Sequence, residues 1–442
     1  GMVDSKPVLL VSSDCHGGAP VEEYKDYLED RYLDEFAEYL SKSNFYRRVE
    51  GDEDASSGAR RMRSPFFFYP DEVMEEFGAQ LGERQAFSVA QTTEERMRAL
   101  ESEGYVAEVV FPDAAKDNEI PFSGLFGGFG GFGGLDAHTV ELAIAGQRAY
   151  NRRLADVIDS SRQAGCAVVS YGDLDAAVAT VETAARSGLR GVLLDGPDPS
   201  FPVQSEPIFA PRYDPLWSAL EDTGVVAHFH IGASTPLEMY SSDPDFPSEI
   251  ANIEIPMWGH RALWWLIWGG VLERHPRLTC AFTEQGTAWI GQALRYMDWQ
   301  WDGMAASRHD RRNTLLPLRP SDYWKRQCFS GASLLSIGDL MARETLDAST
   351  IMYGTDYPHP EGTWARTHPY LRTAFTKAGC NEAEVRMICG ENAVRCYGFD
   401  LEVLGPIAEQ VGPPVDTFLV PGDESLDDPL LRILTRPDFG VA

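Results

Sequence analysis

The sequence predicts a (β/α)8 TIM barrel with a long insertion after the first strand and a C-terminal tail. Eight short apolar segments alternate with helical patterns along the 442 residues, and eight such units in succession favour a closed parallel barrel. The alternative is an open doubly wound sheet, which is disfavoured because no G-x-G-x-x-G motif follows the first strand. Histidines and carboxylates also follow several strands, at the end of a barrel where active sites lie.

The first half of the chain supplies four predicted strands, at residues 7–16, 105–111, 166–171 and 189–195. The predicted helices in this half are residues 22–40, 93–101, 138–161 and 174–187. The second of these helices has the clearest start, because Thr92 or Thr93 can cap it and acidic residues occupy its first turn. Residues 20–90 form the insertion, and a position after a strand is typical of function-specific elaboration.

The second half supplies the other four strands, at residues 225–231, 278–284, 327–333 and 351–356. Its predicted helices are residues 214–223, 256–273, 287–299, 337–346 and 382–397. We therefore assign residues 1–400 to the barrel. Residues 401–442 form an acidic, proline-rich C-terminal extension without a strong hydrophobic period.

A segment rich in glycine and phenylalanine, residues 124–134, has two interpretations. Glycine lets the backbone move and phenylalanine provides apolar surface, so the segment can form a mobile lid over a site. It can equally be a surface loop whose phenylalanines pack down or meet another subunit. It is not a phosphate-binding loop, because no G-K-[ST] follows it.

Composition excludes several function classes. A formal net charge of −30 would be repelled by nucleic acids and by anionic membrane surfaces. The longest apolar stretch, residues 262–272, is far shorter than the roughly 20 residues of a membrane span. Seven cysteines without a C-x-x-C pair, and an N-terminus unlike a secretory signal, predict a cytoplasmic protein.

Side chains that can bind a metal follow four of the eight strands. They are Asp14 and His16 on the first strand, His228 and His230 on the fifth, Glu284 on the sixth, and Asp356 with His359 on the eighth. Residues two apart on a strand share a face, so both members of the first two pairs can point into the barrel mouth. Imidazole and carboxylate groups in this number predict a catalytic site for a divalent metal.

Several longer motifs resemble those of one known group of barrel enzymes. They are Ser-Asp-Cys-His at 13–16, His-Ile-Gly at 230–232, Gly-Gly-Val-Leu-Glu-Arg-His-Pro-Arg-Leu at 269–278, Thr-Glu-x-Gly at 283–286, Tyr-Gly-Thr-Asp-Tyr-Pro-His at 353–359 and Gly-Glu-Asn-Ala at 390–393. As a set they resemble the amidohydrolase-related family of metal-dependent TIM barrels. That family includes aminocarboxymuconate semialdehyde decarboxylase and the resorcylate-type decarboxylases. The resemblance covers residues 8–399.

The resemblance implies that Asp14, His16, His230 and Asp356 bind one divalent metal ion. Zinc is expected first, with manganese and iron as alternatives, because histidines with carboxylates suit all three. A single ion is expected because the fourth strand, at residues 192–195, offers no lysine to bridge two metals. Two departures from the family pattern are an aspartate at position 14, where histidine is frequent, and Glu284 in place of a sixth-strand histidine.

The expected reaction is hydrolysis of an amide, ester or lactone by a metal-bound water. Asp356 would accept the proton of this water, while Glu284 or His228 would act as a second acid or base. The alternative is non-oxidative decarboxylation, in which the metal holds a substrate carboxylate and Glu284, His228 or His260 protonates the carbon. A third possibility is a degenerate barrel that has lost catalysis and serves in binding.

Three further residues are assigned to the substrate side of the site. His260 and Arg261 begin the helix before the sixth strand, where Arg261 could clamp a carboxylate or form an ordinary helix-start ion pair. His359 is expected to orient Asp356 rather than to bind the metal. The substrate is expected to be a small aromatic or apolar molecule with a carboxylate. A homodimer is implied by the resemblance alone.

Overall fold

Eight parallel strands form one sheet in the order of the sequence, so the predicted (β/α)8 barrel is confirmed. The structure is a computed structural model. It describes residues 6–42, 92–112, 120–123, 136–199, 206–236, 239, 247–308, 310, 312, 315–333, 335–359 and 362–422. The strands are β1 Leu10–His16, β2 Tyr105–Phe111, β3 Gln163–Val169, β4 Gly191–Leu194, β5 Val226–His230, β6 Cys280–Thr283, β7 Cys328–Ser333 and β8 Ile351–Gly354.

Helices lie between successive strands and after the last strand. They are α1 Leu33–Lys42, α2 Thr93–Glu101, α3 Ala137–Val157, α4 Leu174–Arg186, α5 Asp214–Thr223, α6 Ser248–Trp268, α7 Val271–Arg274, α8 Ala288–Gly303, α9 Pro320–Gln327, α10 Ile337–Met341, α11 Arg343–Leu346, α12 Thr367–Ala378, α13 Glu382–Arg386, α14 Asn392–Tyr397, α15 Leu401–Val411 and α16 Asp416–Leu419. In the part of the chain that the structure describes, none of them is both long and apolar enough to cross a membrane.

The start of α2 shows how local sequence positions the first strand. The Thr92 hydroxyl accepts from the Glu95 N–H at 3.2 Å, and the Glu95 carboxylate accepts from the Thr92 N–H at 2.8 Å. On the buried side of α2, Arg96 pairs with Glu108 of β2 at 2.7 Å. The same guanidinium donates to the carbonyl of His16 at 2.6 Å. The capped helix therefore anchors the carboxyl end of β1.

The barrel closes just beyond the end of β8. The N–H of Asp356 donates to the carbonyl of Asp14 at 2.9 Å, and the N–H of His16 donates to the carbonyl of Tyr357 at 2.7 Å. Cys15 and Tyr357 form an isolated parallel bridge. The first and last strands of the barrel therefore meet at their carboxyl ends, which brings Asp14, His16 and Asp356 together.

The helix before the sixth strand differs from its prediction. It begins at Ser248 rather than at Pro256, which lies inside it, and it ends at Trp268. Proline is most often found in the first helical turn, but here the chain continues helically on both sides of it. His260 and Arg261 therefore lie well inside the helix and do not begin it.

The C-terminal extension is more regular than its composition predicts. It forms α15 and α16, and Phe418 of α16 is buried at 6.3 Å, centroid to centroid, from Phe375 of α12. The N–H of Val8 donates to the carbonyl of Pro413 at 2.8 Å. Glycine and proline within α15 hide its helical period in the sequence. The glycine- and phenylalanine-rich segment at 124–134 and residues 43–91 of the insertion lie outside the described residues.

Candidate metal centre

The carboxyl end of β1 supplies the first two side chains of the site. Asp14 and His16 are buried, and Nε2 of His16 lies 3.5 Å from Oδ1 of Asp14. The other ring nitrogen of His16, Nδ1, donates to the carbonyl of Pro112 at 2.9 Å. Pro112 directly follows β2, so the neighbouring strand orients the imidazole and leaves Nε2 directed into the site.

The ends of β5 and β6 supply the next two. Nε2 of His230 lies 3.4 Å from Oδ1 of Asp14 and 3.3 Å from Oε2 of Glu284. Glu284 has a φ of 55°, which is uncommon for a residue other than glycine. Its carboxylate also lies 3.7 Å from Nε2 of His16, and 19% of the side chain remains exposed. Glu284 therefore forms part of the open side of the cluster.

The turn after β8 supplies Asp356 and His359. Asp356 also has a positive φ, of 59°, and its Oδ1 lies 3.0 Å from Nε2 of His16. Nδ1 of His359 lies 3.1 Å from the same oxygen. The His359 ring stacks on that of His16, with centroids 4.0 Å apart. His359 is thus placed to orient Asp356, and its assignment to the substrate remains a prediction.

The imidazoles are made more basic by the surrounding carboxylates. Burial lowers the pKa of His16, but the carboxylates of Asp356 and Glu284 outweigh it and hold the pKa well above its usual value. Burial also lowers the pKa of His230, and Asp14 outweighs this effect to raise it. The carboxylates of the cluster therefore favour positive charge beside them.

The carboxyl groups respond to the same crowding in opposite directions. Burial and the neighbouring Asp356 raise the pKa of Glu284. Burial would also raise the pKa of Asp356, but the rings of His359 and His16 outweigh it and hold this pKa below its usual range. Glu284 is the group that keeps a proton more readily, and Asp356 is the one that stays ionised.

The side chains present fit a divalent metal ion. Ligand atoms of one group lie within 4.8 Å of one another, as do those of a second group; the members are Asp14, His16, His230 and Glu284 in the first, and His16, Asp356 and His359 in the second. Nε2 of His16 and Oδ1 of Asp356 are buried and 3.0 Å apart, but neither makes a well-aligned hydrogen bond to a described residue. A cation would give both atoms a partner and balance the carboxylates. The four predicted ligands all belong to these groups, and Glu284 joins them.

His228 lies elsewhere, although it shares its strand and face with His230. Its Nδ1 lies 3.2 Å from the carbonyl of Val192, and its Nε2 lies 2.8 Å from the hydroxyl of Tyr397. It is fully buried, and burial lowers its pKa to about 3. The prediction that His228 acts as an acid or base is not supported by this position, because both ring nitrogens have protein partners.

His260 packs next to the turn that follows β6 and belongs to neither group of candidate ligands. Its Nε2 donates to the carbonyl of Gln285 at 3.2 Å, and its ring stacks on Trp289 with centroids 3.7 Å apart. Burial lowers its pKa to about 4. His260 therefore supports the backbone next to Glu284, and its assignment to the substrate remains a prediction.

Arg261 lies against aromatic rings on α6. Its guanidinium carbon is 5.1 Å from the ring centroid of Trp258 and 5.2 Å from that of Trp265. Nη1 donates to the carbonyl of Pro197, which follows β4, at 3.1 Å. Arg261 is therefore near the carboxyl end of β4 rather than in the metal cluster, and its role toward a substrate also remains a prediction.

Two residues of the site were missed by sequence reasoning. The Ser333 hydroxyl, at the end of β7, donates to Oδ2 of Asp14 at 2.5 Å. Gly354, at the end of β8, lies so close to Asp14 that an added Cβ would be 2.6 Å from the Cβ of Asp14. The only signal in the sequence is that Ser333 ends a predicted strand and that Gly354 lies two residues before the end of another.

A sequence model of the family described as Amidohydrolase matches residues 14–399 of the chain. The match begins at the first candidate ligand and ends just after α14. No curated protein matches the sequence.

Solved structures share the fold at low sequence identity. The 5-carboxyvanillate decarboxylase of Sphingomonas paucimobilis is 18% identical with a TM-score of 0.56, and the match covers 89% of this chain and 100% of that one. An amidohydrolase from Mycobacterium avium subsp. paratuberculosis K-10 is 16% identical with a TM-score of 0.62, covering 90% and 100%. The 5-carboxyvanillate decarboxylase of Novosphingobium aromaticivorans, solved with manganese and 3-methoxy-4-hydroxy-5-nitrobenzoic acid, is 16% identical with a TM-score of 0.58, covering 89% and 100%.

Proposed function

This chain belongs to the amidohydrolase family, and from that premise we propose that it is a metal-dependent decarboxylase of a small aromatic carboxylate. The observation that carries the proposal is Glu284, a carboxyl group on the open side of the cluster whose pKa is raised by burial and by Asp356. Decarboxylation needs a proton donor at the carbon that loses carbon dioxide. Glu284 supplies one beside the residues that would hold the metal.

Asp14, His16, His230 and Asp356 would hold a divalent ion. When bound, the ion supplies positive charge that fixes the substrate carboxylate and a neighbouring oxygen. Manganese in the structure from Novosphingobium aromaticivorans supports manganese for this chain, and zinc is the second choice because the ligand set suits both. His359 would keep Asp356 oriented through its 3.1 Å contact.

Glu284 would carry out the proton transfer. Its carboxyl proton moves to the ring carbon that bears the carboxylate, and a new C–H bond forms. The bond from that carbon to the carboxylate then breaks, its electron pair returns to the ring, and carbon dioxide leaves. Glu284 ends as a carboxylate and regains a proton from water, which its partial exposure allows.

The chemistry of this step favours an aromatic acid with a hydroxyl group ortho or para to the ring position that takes the proton. Such a hydroxyl lets the ring accept a proton at carbon, because the oxygen can share the positive charge. The names of two of the three similar structures include 5-carboxyvanillate, an aromatic carboxylate. These names support the same substrate class here. They also support decarboxylation, whereas the sequence alone favoured hydrolysis.

Hydrolysis is the second candidate, and Asp356 is the observation that favours it. Burial would raise the pKa of Asp356, but His359 and His16 outweigh this effect and hold the pKa below its usual range. The carboxylate therefore stays ionised and can accept the proton of a water. An ester, lactone or amide would then be the substrate.

The test is a comparison of two substrate panels with manganese-loaded protein in heavy water. One panel holds hydroxybenzoates and 5-carboxyvanillate, and the other holds esters, lactones and amides of similar size. We expect carbon dioxide release from the first panel, with deuterium at the vacated ring carbon by proton NMR. Cleavage of the second panel without carbon dioxide would replace decarboxylation by hydrolysis. Metal-loaded protein that is inert toward both panels would contradict the enzyme function.

A further inference from the structure

The two carboxylate oxygens of Asp14 have different surroundings. Oδ1 faces the cluster, 3.5 Å from Nε2 of His16 and 3.4 Å from Nε2 of His230. Oδ2 accepts the hydrogen bond from the Ser333 hydroxyl at 2.5 Å. Asp14 is fully buried, so bulk solvent reaches neither oxygen. Oδ1 is therefore the oxygen that faces the candidate metal site, whereas Oδ2 is already hydrogen-bonded to the protein.

Ser333 makes this hydrogen bond across an intervening strand. It ends β7 and is paired in register with Gly354 of β8, and β8 in turn lies beside β1 where the barrel closes. The hydroxyl therefore passes over the β8 backbone to reach Asp14. It can do so because residue 354 has no side chain: a Cβ there would be 2.6 Å from the Cβ of Asp14 and 3.0 Å from Oγ of Ser333.

We propose that Ser333 and Gly354 are positioning residues that present Asp14 to the metal through one oxygen, Oδ1. The proposal rests on the metal site of the proposed function, and it adds which oxygen of Asp14 binds and what holds it. The Ser333 hydroxyl restrains rotation of the carboxylate, and Gly354 provides the space for it. A ligand held to one oxygen leaves more coordination positions open for substrate.

The test measures manganese affinity, which does not depend on any reaction. Mn²⁺ is titrated into the parent protein and into Ser333→Ala, and the free ion is followed by electron paramagnetic resonance. Loss of a hydrogen-bonding partner of a metal ligand typically weakens affinity by roughly 10–100-fold, and we expect this range for Ser333→Ala. The spectrum of the bound ion should also change, because Oδ2 becomes free to coordinate.

Three further variants separate positioning from a general structural role. Ser333→Thr keeps the hydroxyl, and we expect its affinity to return toward that of the parent. Gly354→Ala should weaken affinity with Ser333 intact, because the new methyl group displaces Asp14. Ser330→Ala is the matched control: Ser330 is buried on the same strand, but its hydroxyl contacts Thr287 at 2.5 Å and no member of the cluster. Its manganese affinity should not change.

The outcomes distinguish this proposal from the proposed function. Ser333→Ala that binds Mn²⁺ as tightly as the parent, with the same bound-ion spectrum, would overturn the positioning role. If Ser333→Ala does not fold, Ser333→Cys, which keeps the size and weakens the donor, answers the same question. A parent protein that binds metal without decarboxylating any substrate would overturn the proposed function and leave the serine comparison valid. A parent that binds neither Mn²⁺ nor Zn²⁺ would overturn both.

Discussion

Two layers of polar residues lie inside the same barrel and differ in how completely the protein satisfies them. We call the first the mouth layer; its members are Asp14, His16, His230, Glu284, Asp356 and His359. We call the second the interior layer; its members are His228 and Tyr397. The layers meet on β5, where His228 and His230 are only two residues apart and face the same side of the strand.

The interior layer is complete without any ligand. Both nitrogens of the His228 ring have partners within 3.2 Å, and the Tyr397 ring stacks on it at an interplanar angle of 5°. Tyr397 comes from α14, whose end is tied to the start of β4 by Arg190. A neutral imidazole with both nitrogens bonded is a stable core residue.

The mouth layer lacks the hydrogen bonds that complete the interior layer. Nε2 of His16 and Oδ1 of Asp356 are buried and only 3.0 Å apart, but neither makes a well-aligned hydrogen bond to a described residue. Unpaired buried polar atoms cost free energy, so they persist where a ligand completes them. The comparison teaches that residue type and strand face do not separate a histidine of the candidate site from a structural one. The kind of partner does: His228 faces a carbonyl and a hydroxyl, whereas Nε2 of His16 and of His230 faces carboxylates of the mouth layer.

The largest effect should follow removal of a mouth-layer carboxylate. We expect Asp356→Ala to lose its metal and all carbon dioxide release, because it removes the oxygen that lies against His16. The loss of affinity should exceed the roughly 10–100-fold that an outer hydrogen-bonding partner costs. Elemental mass spectrometry measures the metal content of the purified proteins, and Asp175→Ala, a change at an exposed aspartate, is the control. A variant that retains one equivalent of manganese would remove Asp356 from the ligand set.

The next effect separates the proton donor from the ligands within the mouth layer. Glu284→Gln keeps the shape of the side chain and removes the acidic proton, so carbon dioxide release should fall by roughly 10²–10⁴-fold. Manganese content should stay at the parent value. Single-turnover assays beside metal analysis distinguish the two roles. Loss of metal together with activity would instead make Glu284 a ligand, in keeping with its place in the first ligand group.

The mouth layer was largely predictable from sequence, because two simple rules locate it. Side chains alternate along a strand, and barrel enzymes place their chemistry at the carboxyl ends of strands. These rules identified Asp14, His16, His230 and Asp356 without knowledge of any contact. They identified Glu284 as well, although nothing in the sequence indicates the positive φ that Glu284 and Asp356 adopt.

The interior layer was not predictable, because it depends on partners far away in the sequence. The hydrogen bond from Tyr397 to His228 joins residues 169 positions apart. His228 obeys the same alternation rule as His230, so periodicity alone assigned both to the mouth. Depth along the barrel, rather than the face of the strand, decided between them.

A change in the interior layer should affect stability instead of metal binding. His228→Ala leaves the Tyr397 hydroxyl and the Val192 carbonyl without their partner, and each such group costs about 1–3 kcal/mol. We expect a loss of about 2–4 kcal/mol in the free energy of unfolding, measured with urea, and unchanged manganese affinity. His138→Ala, whose side chain is 61% exposed, is the matched control and should cost less than about 0.5 kcal/mol. Metal loss in His228→Ala would show that the interior layer also contributes to metal binding.

The smallest effect is a pH dependence of stability that only the interior layer should produce. Burial lowers the pKa of His228 from 6.5 to about 3. As the pH falls below 6.5, the unfolded chain therefore binds a proton at this histidine and the folded protein does not. The stability that His228 contributes is therefore complete above pH 6.5 and decreases as pH falls toward the folded value, by up to about 1.4 kcal/mol per unit.

His228→Gln isolates this term, because glutamine can hydrogen-bond without titrating. Cys166 and Tyr397, which face His228 in the barrel interior, and the mouth-layer groups His230 and Asp14 remain in both proteins. Their titration therefore largely cancels in the difference between parent and variant. Urea unfolding of both proteins from pH 7.5 to pH 5 should show the parent losing stability relative to the variant as acid is added. A difference that stays constant over this range would mean that folding leaves the pKa of His228 unchanged, and it would contradict the burial of a neutral imidazole in the interior layer.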